Sequence, residues 1–333
     1  ISARPMQDHV INLAASDTFN ISNDILLQGA TGQRHTQVTL RGSDSANPST
    51  VSLTGGLISA VGIDLVLQNV VLSGMSIYIE DSEGDFNNVE ADDLIIVDSD
   101  VEMSDITLEN NASLDALEVY RSKLLLRGSV SGKGVHTSIF SFQDSQILSD
   151  NASLTFNNNA NGIHLQLFNS EFIQRSGDLE FNSPNGVSMF FVDALSSLAL
   201  NSATVTNTGN FDYGIYAEGR VHIDSGNTNF FTDESIRLAP GSYLKMTNAT
   251  IGLSGSPSTK GIVDGGSLGL SGTANVYAST CVDGAAFGKE NVLISDSTVS
   301  AVNPDFSVVA TVINKNIDID VGKYFNKATI ACL

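Results

Sequence analysis

The sequence predicts an all-β fold built as a solenoid, in which short strands follow one another around a coil and successive coils stack. Three observations predict it. An apolar–polar phrase returns at a nearly fixed interval, a turn residue interrupts its copies, and the periodicity of amphipathic helices is missing. An unbroken repeat over 333 residues favours one long solenoid over the two domains that length alone would suggest.

The repeated phrase runs apolar, any, apolar, any, small polar, small, any, apolar. In the copy that begins at Leu65, alternation turns Leu65 and Leu67 to one face of a strand. Most copies begin 23 to 25 residues after the previous one, so we expect roughly ten to eleven coils of about 23–24 residues. The copies begin at Val38, Leu65, Leu94, Leu117, Phe140, Leu165, Leu198, Val221, Leu244, Leu268 and Val292.

Two intervals between copies are longer than the rest. Leu94 begins 29 residues after Leu65, and Leu198 begins 33 residues after Leu165. We interpret both as insertions into a coil, where loops that determine specificity would lie.

The fifth position of the phrase holds residues that tolerate unusual backbone angles, so each copy should be two short strands joined by a tight bend. A third strand and looser turns would complete the coil. The turn residues are Asn69, Asp98, Asp144, Asn169, Ser202, Ser225, Asn248, Gly272 and Asp296.

A glycine followed by Ile or Val recurs and predicts a second corner of the coil. We expect the apolar residue to enter the core and the residue after it to point outward. The inward set is Ile63, Val135, Ile163, Val187 and Ile215, and the outward set is Asp64, His136, His164, Ser188 and Tyr216.

The repeat also predicts three segments. Residues 1–37 would form an N-terminal cap and first coil, residues 38–302 the stacked coils, and residues 303–333 a C-terminal cap or strands for contact between subunits. The chain begins with Ile and shows no signal peptide, which indicates a processed product or a fragment.

Charge excludes one class of partner. A formal net charge of −21 argues against nucleic-acid binding, because phosphate contacts need clustered Lys and Arg. No apolar run approaches the roughly 18 residues that span a bilayer, so we expect no membrane insertion.

Acidic residues concentrate in one region. No Lys, Arg or His lies between Gly42 and Tyr120, whereas this stretch holds sixteen carboxylates. One interpretation is a Ca²⁺ site, because carboxylate oxygens are the ligands that calcium prefers. The other is a solvated acidic face that keeps the protein in solution. The candidate ligands are Asp92, Asp93, Asp98, Asp100 and Glu102.

Catalytic residues are less clearly indicated. His136 and His164 could stand on neighbouring coils with Asp144 and Arg175 near them in sequence, as an acid–base groove or as side chains without a shared purpose. A second candidate is the border where the acidic stretch meets bases, at Arg121, Lys123 and Arg127. No nucleophile-elbow sequence supports Ser–His–Asp catalysis.

The strongest candidate for ligand binding lies near the middle of the chain, where two tyrosines, two carboxylates and an arginine fall within ten residues. Flat rings can stack on sugar rings, and charged groups can hold their hydroxyls. Tryptophan is absent from the chain. The cluster is Asp212, Tyr213, Tyr216, Glu218 and Arg220, and seven phenylalanines are assigned instead to the core: Phe140, Phe142, Phe156, Phe168, Phe172, Phe190 and Phe191.

The two cysteines, Cys281 and Cys332, both lie in the last fifth of the chain. They could form a disulfide that fastens the C-terminal tail to the final coils, or they could be two free thiols.

The opening of the chain resembles a known family. Three segments, Val10–Phe19, Asp24–Gln33 and Val38–Gly42, are similar to the first coil of pectin-lyase-like β-helices, in particular those of bacteriophage tail spikes and tail fibres. The resemblance covers about forty residues. It implies a right-handed parallel β-helix, often a homotrimer, that recognises or cleaves a bacterial surface polysaccharide from the virion or in the extracellular medium.

Three functions follow as expectations. The first is a receptor-binding tail-spike protein that needs no cofactor, or at most Ca²⁺. The second is a secreted polysaccharide lyase or glycoside hydrolase of the same fold, and the third is a bacterial surface adhesin. Fold alone does not separate them.

Overall fold

The computed structural model describes residues 8–14, 18–20, 23–29, 36–43, 46, 48–109, 115–134, 138–158, 162–229, 232–252, 258–263, 267–276, 278–283, 292–302 and 329–332. Side chains are described in these ranges except at 52–55, 158, 185, 258–259 and from 267 onward. The described residues contain strands and turns and no helix.

The described strands are numbered in chain order. They are β1 His9–Leu13, β2 Thr18–Asn20, β3 Ile25–Gln28, β4 Thr36–Gly42, β5 Ser49–Val61, β6 Ile63–Glu80, β7 Glu83–Ala91, β8 Asp93–Val97, β9 Asp100–Glu109, β10 Leu117–Tyr120, β11 Lys123–Gly134, β12 Phe140–Gln143, β13 Gln146–Asp150, β14 Ser153–Asn158, β15 Ile163–Phe168, β16 Glu171–Arg175, β17 Asp178–Asn182, β18 Asn185–Val192, β19 Ser197–Asn201, β20 Thr204–Asn207, β21 Asn210–Ala217, β22 Arg220–Asp224, β23 Asn227–Asn229, β24 Thr232–Leu238, β25 Tyr243–Thr247, β26 Thr250–Ile251, β27 Ser258–Val263, β28 Ser267–Val276, β29 Ala278–Asp283, β30 Val292–Val302 and β31 Thr329–Cys332.

The chain forms two compact units, residues 1–157 and 158–333. Both are parallel β-solenoids, and the described residues hold about nine turns in all, slightly fewer than the ten to eleven expected. The predicted all-β solenoid is confirmed, and its pairing is consistent with a right-handed β-helix. The division at residues 37 and 302 stays a prediction, and residues 303–328 lie outside the described part.

Parallel pairing in the first unit sorts the strands into stacked columns. In one column Leu94 pairs with Ile77 of the preceding coil and with Leu117 of the following one. In another column Leu65 pairs with Gly84, which in turn pairs with Val101. Each coil thus contributes one strand to each column.

The second unit repeats this arrangement. One column joins β15, β18, β21, β24 and β27, with Leu165, Phe190 and Ile215 in register. A second joins β16, β19, β22, β25 and β28, with Phe172 and Leu198 in register, and a third joins β17, β20, β23 and β26.

The columns correct the interpretation of the two long intervals. Leu65 and Leu94 belong to different columns of the first unit, and Leu165 and Leu198 belong to different columns of the second. The repeated phrase therefore occurs on two strands of the coil, and the long intervals mark a change from one to the other. The predicted insertions are wrong.

The predicted turn residues adopt the backbone that their chemistry allows. Positive φ values, rare outside glycine, occur at seven of the nine: Asn69 (55°), Asp98 (47°), Asp144 (53°), Asn169 (47°), Ser202 (54°), Ser225 (54°) and Asn248 (48°). At Gly272 and Asp296 the register between β28 and β30 shifts instead. Arg121, at the fifth position of the copy that begins at Leu117, also has a positive φ (49°) although it is not a typical turn residue. The phrase missed further turns of the same kind at Asp81, Asn88, Asp105, Asn151 and Ser176.

The glycine corner is confirmed at two positions and wrong at two. Ile63 and Ile215 are buried, as expected. Val187, in contrast, is 40% exposed while Ser188 is buried, and His164 is fully buried rather than outward. The side-chain alternation at these corners is therefore reversed. Val135 and His136 lie outside the described residues.

A row of buried serines follows one column of turns, and we call it the serine ladder. The hydroxyls of Ser99, Ser122, Ser145 and Ser196 each accept a hydrogen bond from the backbone N–H of the serine one coil before, and the Ser82 hydroxyl accepts from the Ile63 N–H. Most of the hydroxyls donate to the carbonyl two residues upstream. In the first unit it comprises Ser82, Ser99, Ser122 and Ser145, and in the second unit Ser170 and Ser196.

The core of both units is apolar and rich in phenylalanine. Five of the seven phenylalanines assigned to the core are fully buried there: Phe140, Phe142, Phe156, Phe172 and Phe190. Within the described part of the chain, no helix is long and apolar enough to cross a membrane.

Candidate functional site

The outer face of the second unit carries aromatic rings on successive coils. In β15, Leu165 and Leu167 point inward, so alternation turns Phe168 outward. In β18 and β21 the same alternation points the side chains of Phe191 and Tyr216 outward, and these two residues are register partners. Phe191 and Tyr216 therefore lie directly above one another, and Phe168 lies two residues along the strand from Gln166, the register partner of Phe191.

Four rings form a continuous group that we call the aromatic ladder: Phe168, Phe191, Tyr216 and Tyr213. Ring centroids of Phe168 and Phe191 are 5.7 Å apart, and those of Phe191 and Tyr216 are 5.8 Å apart with planes only 9° from parallel. Tyr213 meets Tyr216 edge-on at 5.6 Å. The ladder therefore follows the stacking direction, in which neighbouring strands are about 4.8 Å apart.

Charged side chains lie next to the tyrosine end of the ladder. The Arg237 guanidinium lies 5.5 Å from the centre of the Tyr213 ring and donates a hydrogen bond to its hydroxyl at 3.2 Å. Glu234 accepts from Arg237 at 3.3 Å and pairs with Lys260 at 3.9 Å. These contacts hold the Arg237 side chain over the outer face.

The structure separates the five residues of the predicted binding cluster. Tyr213 and Tyr216 belong to the ladder. Asp212 is exposed, and it lies between Phe211, which is buried, and Tyr213, which is half-buried. Glu218 lies in the turn after β21, and Arg220 begins β22, which belongs to a different column of strands from β21.

Sequence reasoning missed four members of this site. Phe168 and Phe191 are wrongly assigned to the core, since Phe168 is 38% exposed and Phe191 is half-buried on the outer face. Neighbouring residues of a strand point to opposite faces, so the Phe190–Phe191 pair itself signals one outward ring. Arg237 and Glu234 had no such signal, because they join the site only through the register with the preceding coil.

The predicted acid–base groove has no counterpart among the described residues. His164 is buried between the rings of Phe181 and Phe211, and burial lowers its pKa to about 4. Arg175 is exposed at the end of β16 in the second unit, while Asp144 lies in a turn of the first. His136 lies outside the described part.

Three acids of the acidic stretch are paired with bases one coil later. Arg121 donates two hydrogen bonds of 2.7 Å to the Asp98 carboxylate, and this contact lowers the pKa of Asp98. Lys123 pairs with Asp100 at 3.5 Å, and Arg127 pairs with Glu102. A pocket of about 360 Å³ lies over the first two pairs.

The five candidate calcium ligands lie in two separate groups. Asp98, Asp100 and Glu102 face bases, whereas Asp92 and Asp93 lie at another corner, where burial raises both pKa values and Asp93 accepts a hydrogen bond from Ser76 at 2.8 Å. Over the described ranges, no group of three His, Cys, Asp or Glu side chains could hold a metal ion. The side chains of Cys281 and Cys332 lie outside the described part.

Comparison with protein-family models, with curated proteins and with solved structures gives no match. The resemblance of the first coil to tail-spike β-helices stays a prediction. We therefore infer the function from geometry and charge.

Proposed function

We propose that the protein is a β-solenoid that binds a glycan along the aromatic ladder. The observation that supports this proposal most strongly is the row of outward rings on consecutive coils of the second unit. Exposed aromatic groups rimmed by polar side chains are typical of binding surfaces.

The repetition of the rings favours a ligand that is itself a chain of rings. Sugar rings offer apolar faces that can lie on Phe191 and Tyr216, and their hydroxyls can bond polar groups beside the ladder. Single-stranded nucleic acid also stacks on aromatic platforms, but it requires a positive groove, which a net charge of −21 does not favour.

The fold and this surface together suit a receptor-binding protein of the tail-spike kind. Such a protein would bind a bacterial surface polysaccharide. It would be located on the virion or in the extracellular medium, and it would act as a homotrimer. Light scattering coupled to size-exclusion chromatography would give three times the chain mass of 35.1 kDa, and a monomer would contradict the trimer. Bacterial attachment by an adhesin would use the same surface.

An enzyme of the same fold is the second candidate, and the pocket over Asp98 and Arg121 favours it. The ion pair weighs against acid–base chemistry there, because the contact lowers the pKa of Asp98 and raises that of Arg121, so both groups stay charged near neutral pH. Release of oligosaccharide from a bound polysaccharide, lost on Asp98→Asn, would establish the enzyme.

The ladder is tested by removing its central stack. In the double variant Phe191→Ala/Tyr216→Ala we expect each lost ring to weaken glycan binding about ten-fold, or about 1.4 kcal/mol. Titration calorimetry with a glycan selected on an array measures the loss.

Tyr243→Ala is the matched control. Tyr243 is 38% exposed on β25, which belongs to a different column of the same unit from the strands of the ladder. Its removal should leave affinity unchanged. Equal binding by the double variant and the wild type would contradict the proposal.

A further inference from the structure

The charged side chains at the tyrosine end of the aromatic ladder differ from the other described clusters of charged residues, because they lie beside stacked rings. Tyr213, Glu234 and Lys260 occupy the same register position on three successive coils. Tyr216 and Arg237 are register partners beside them. Two cationic groups therefore lie within one or two coils of the stacked rings.

Glu234 fixes these cations on the outer face. Its side chain is only 15% exposed and contacts both Arg237 and Lys260. Arg237 is held additionally by the ring and hydroxyl of Tyr213. Side chains restrained in this way lose less conformational entropy when a ligand binds.

The first unit provides a contrast. There Arg121, Lys123 and Arg127 each pair with a separate acid, one to one, and each is about half exposed or more. At the ladder, two cations share one carboxylate. A guanidinium carries five N–H donors and an ammonium three, so Arg237 and Lys260 can hold Glu234 and a further anion together.

From this geometry we infer that the ladder takes a glycan whose sugar carries a carboxylate, with the ring on Tyr216 and Phe191 and the carboxylate at Arg237 and Lys260. The inference rests on the proposed glycan binding and adds the chemical class of the ligand. It makes Lys260 a residue that determines specificity rather than a residue that supplies most of the affinity.

The experiment compares matched ligands on a glycan array, with uronate-containing oligosaccharides printed beside their carboxyl-reduced forms. We expect the acidic forms to bind about ten-fold more tightly, the factor that one charge-assisted contact of about 1.4 kcal/mol gives. Lys260→Met keeps the alkyl stem and should remove this preference while leaving the reduced forms bound as before.

Lys123→Met is the control, because it removes a paired lysine from the first unit. It should behave as the wild type. Reduced forms that bind as tightly as acidic ones, a preference that survives Lys260→Met, or an equal loss in Lys123→Met would each overturn the inference while glycan binding stands. Absence of binding to either form would overturn both proposals.

Discussion

At the scale of single residues, the serine ladder links one coil to the next. The Ser122 hydroxyl accepts from the Ser99 N–H at 2.9 Å and donates to the Tyr120 carbonyl at 2.7 Å. Water does not reach the Ser99 N–H or the Ser122 hydroxyl, since Ser99 and Ser122 are buried. This explains why the sixth position of the phrase is a small residue that can also form hydrogen bonds.

Ser122→Ala should therefore destabilise the first unit. The Ser99 N–H loses its acceptor, which costs about 1–3 kcal/mol in the free energy of unfolding. Urea denaturation measures the loss. Ser73→Ala, at an exposed position of β6 in the same unit, should change stability by no more than about 0.5 kcal/mol, and equal effects of the two substitutions would contradict the ladder's role.

His164 makes the second unit sensitive to acid. Burial lowers its folded-state pKa from 6.5 to about 4, so below pH 6.5 the unfolded chain binds a proton that the folded chain does not. The free energy of unfolding falls as pH drops from 6.5 towards 4, by about 3 kcal/mol in total, and this contribution is constant below that range.

His164→Leu should remove this pH dependence, because leucine suits the apolar site and does not titrate. Thermal unfolding of both proteins between pH 7 and pH 4 provides the comparison, and other titrating groups cancel in the difference. Parallel stability curves would show that His164 is not buried as a neutral ring.

At the scale of elements, the tight turn between strands depends on backbone conformation more than on contacts. Ser225 has φ of 54°, in the left-handed region that Ser, Asn and Gly enter more readily than β-branched residues. The same geometry at successive coils lets the flanking strands stay in register.

Ser225→Val should lower the free energy of unfolding by about 1–2 kcal/mol, since the Cβ substituents clash in this conformation. Ser225→Gly serves as the control and should cost little, because glycine adopts positive φ freely. The two variants are compared by denaturant titration. Equal stability would mean that the turn is not left-handed.

The sequence predicted the strands and most of their turns, but not the order of the columns. The phrase at Leu65 and the phrase at Leu94 look alike, because both strands of the coil are short and apolar and end in a left-handed residue. Only pairing shows that they occupy different columns. Alternation within a strand could have placed Phe191 outside, whereas the contact of Arg237 with Tyr213 depends on register between coils.

At the scale of the whole molecule, an acidic chain displays an aromatic and partly cationic surface on the described part of its second unit. The net charge of −21 favours solubility and repels nucleic acid, and three acids of the first unit are each paired with a base one coil later. Among the described surfaces, the ladder combines stacked rings with a guanidinium held over a ring. We propose that a glycan binds on this ladder.

A crystal structure of the protein with an array-selected oligosaccharide would locate the binding surface. We expect sugar rings stacked on Phe191 and Tyr216, with polar contacts to Arg237. An oligosaccharide bound instead in the pocket over Asp98 and Arg121, with the ladder bare, would contradict this proposal and favour the enzyme.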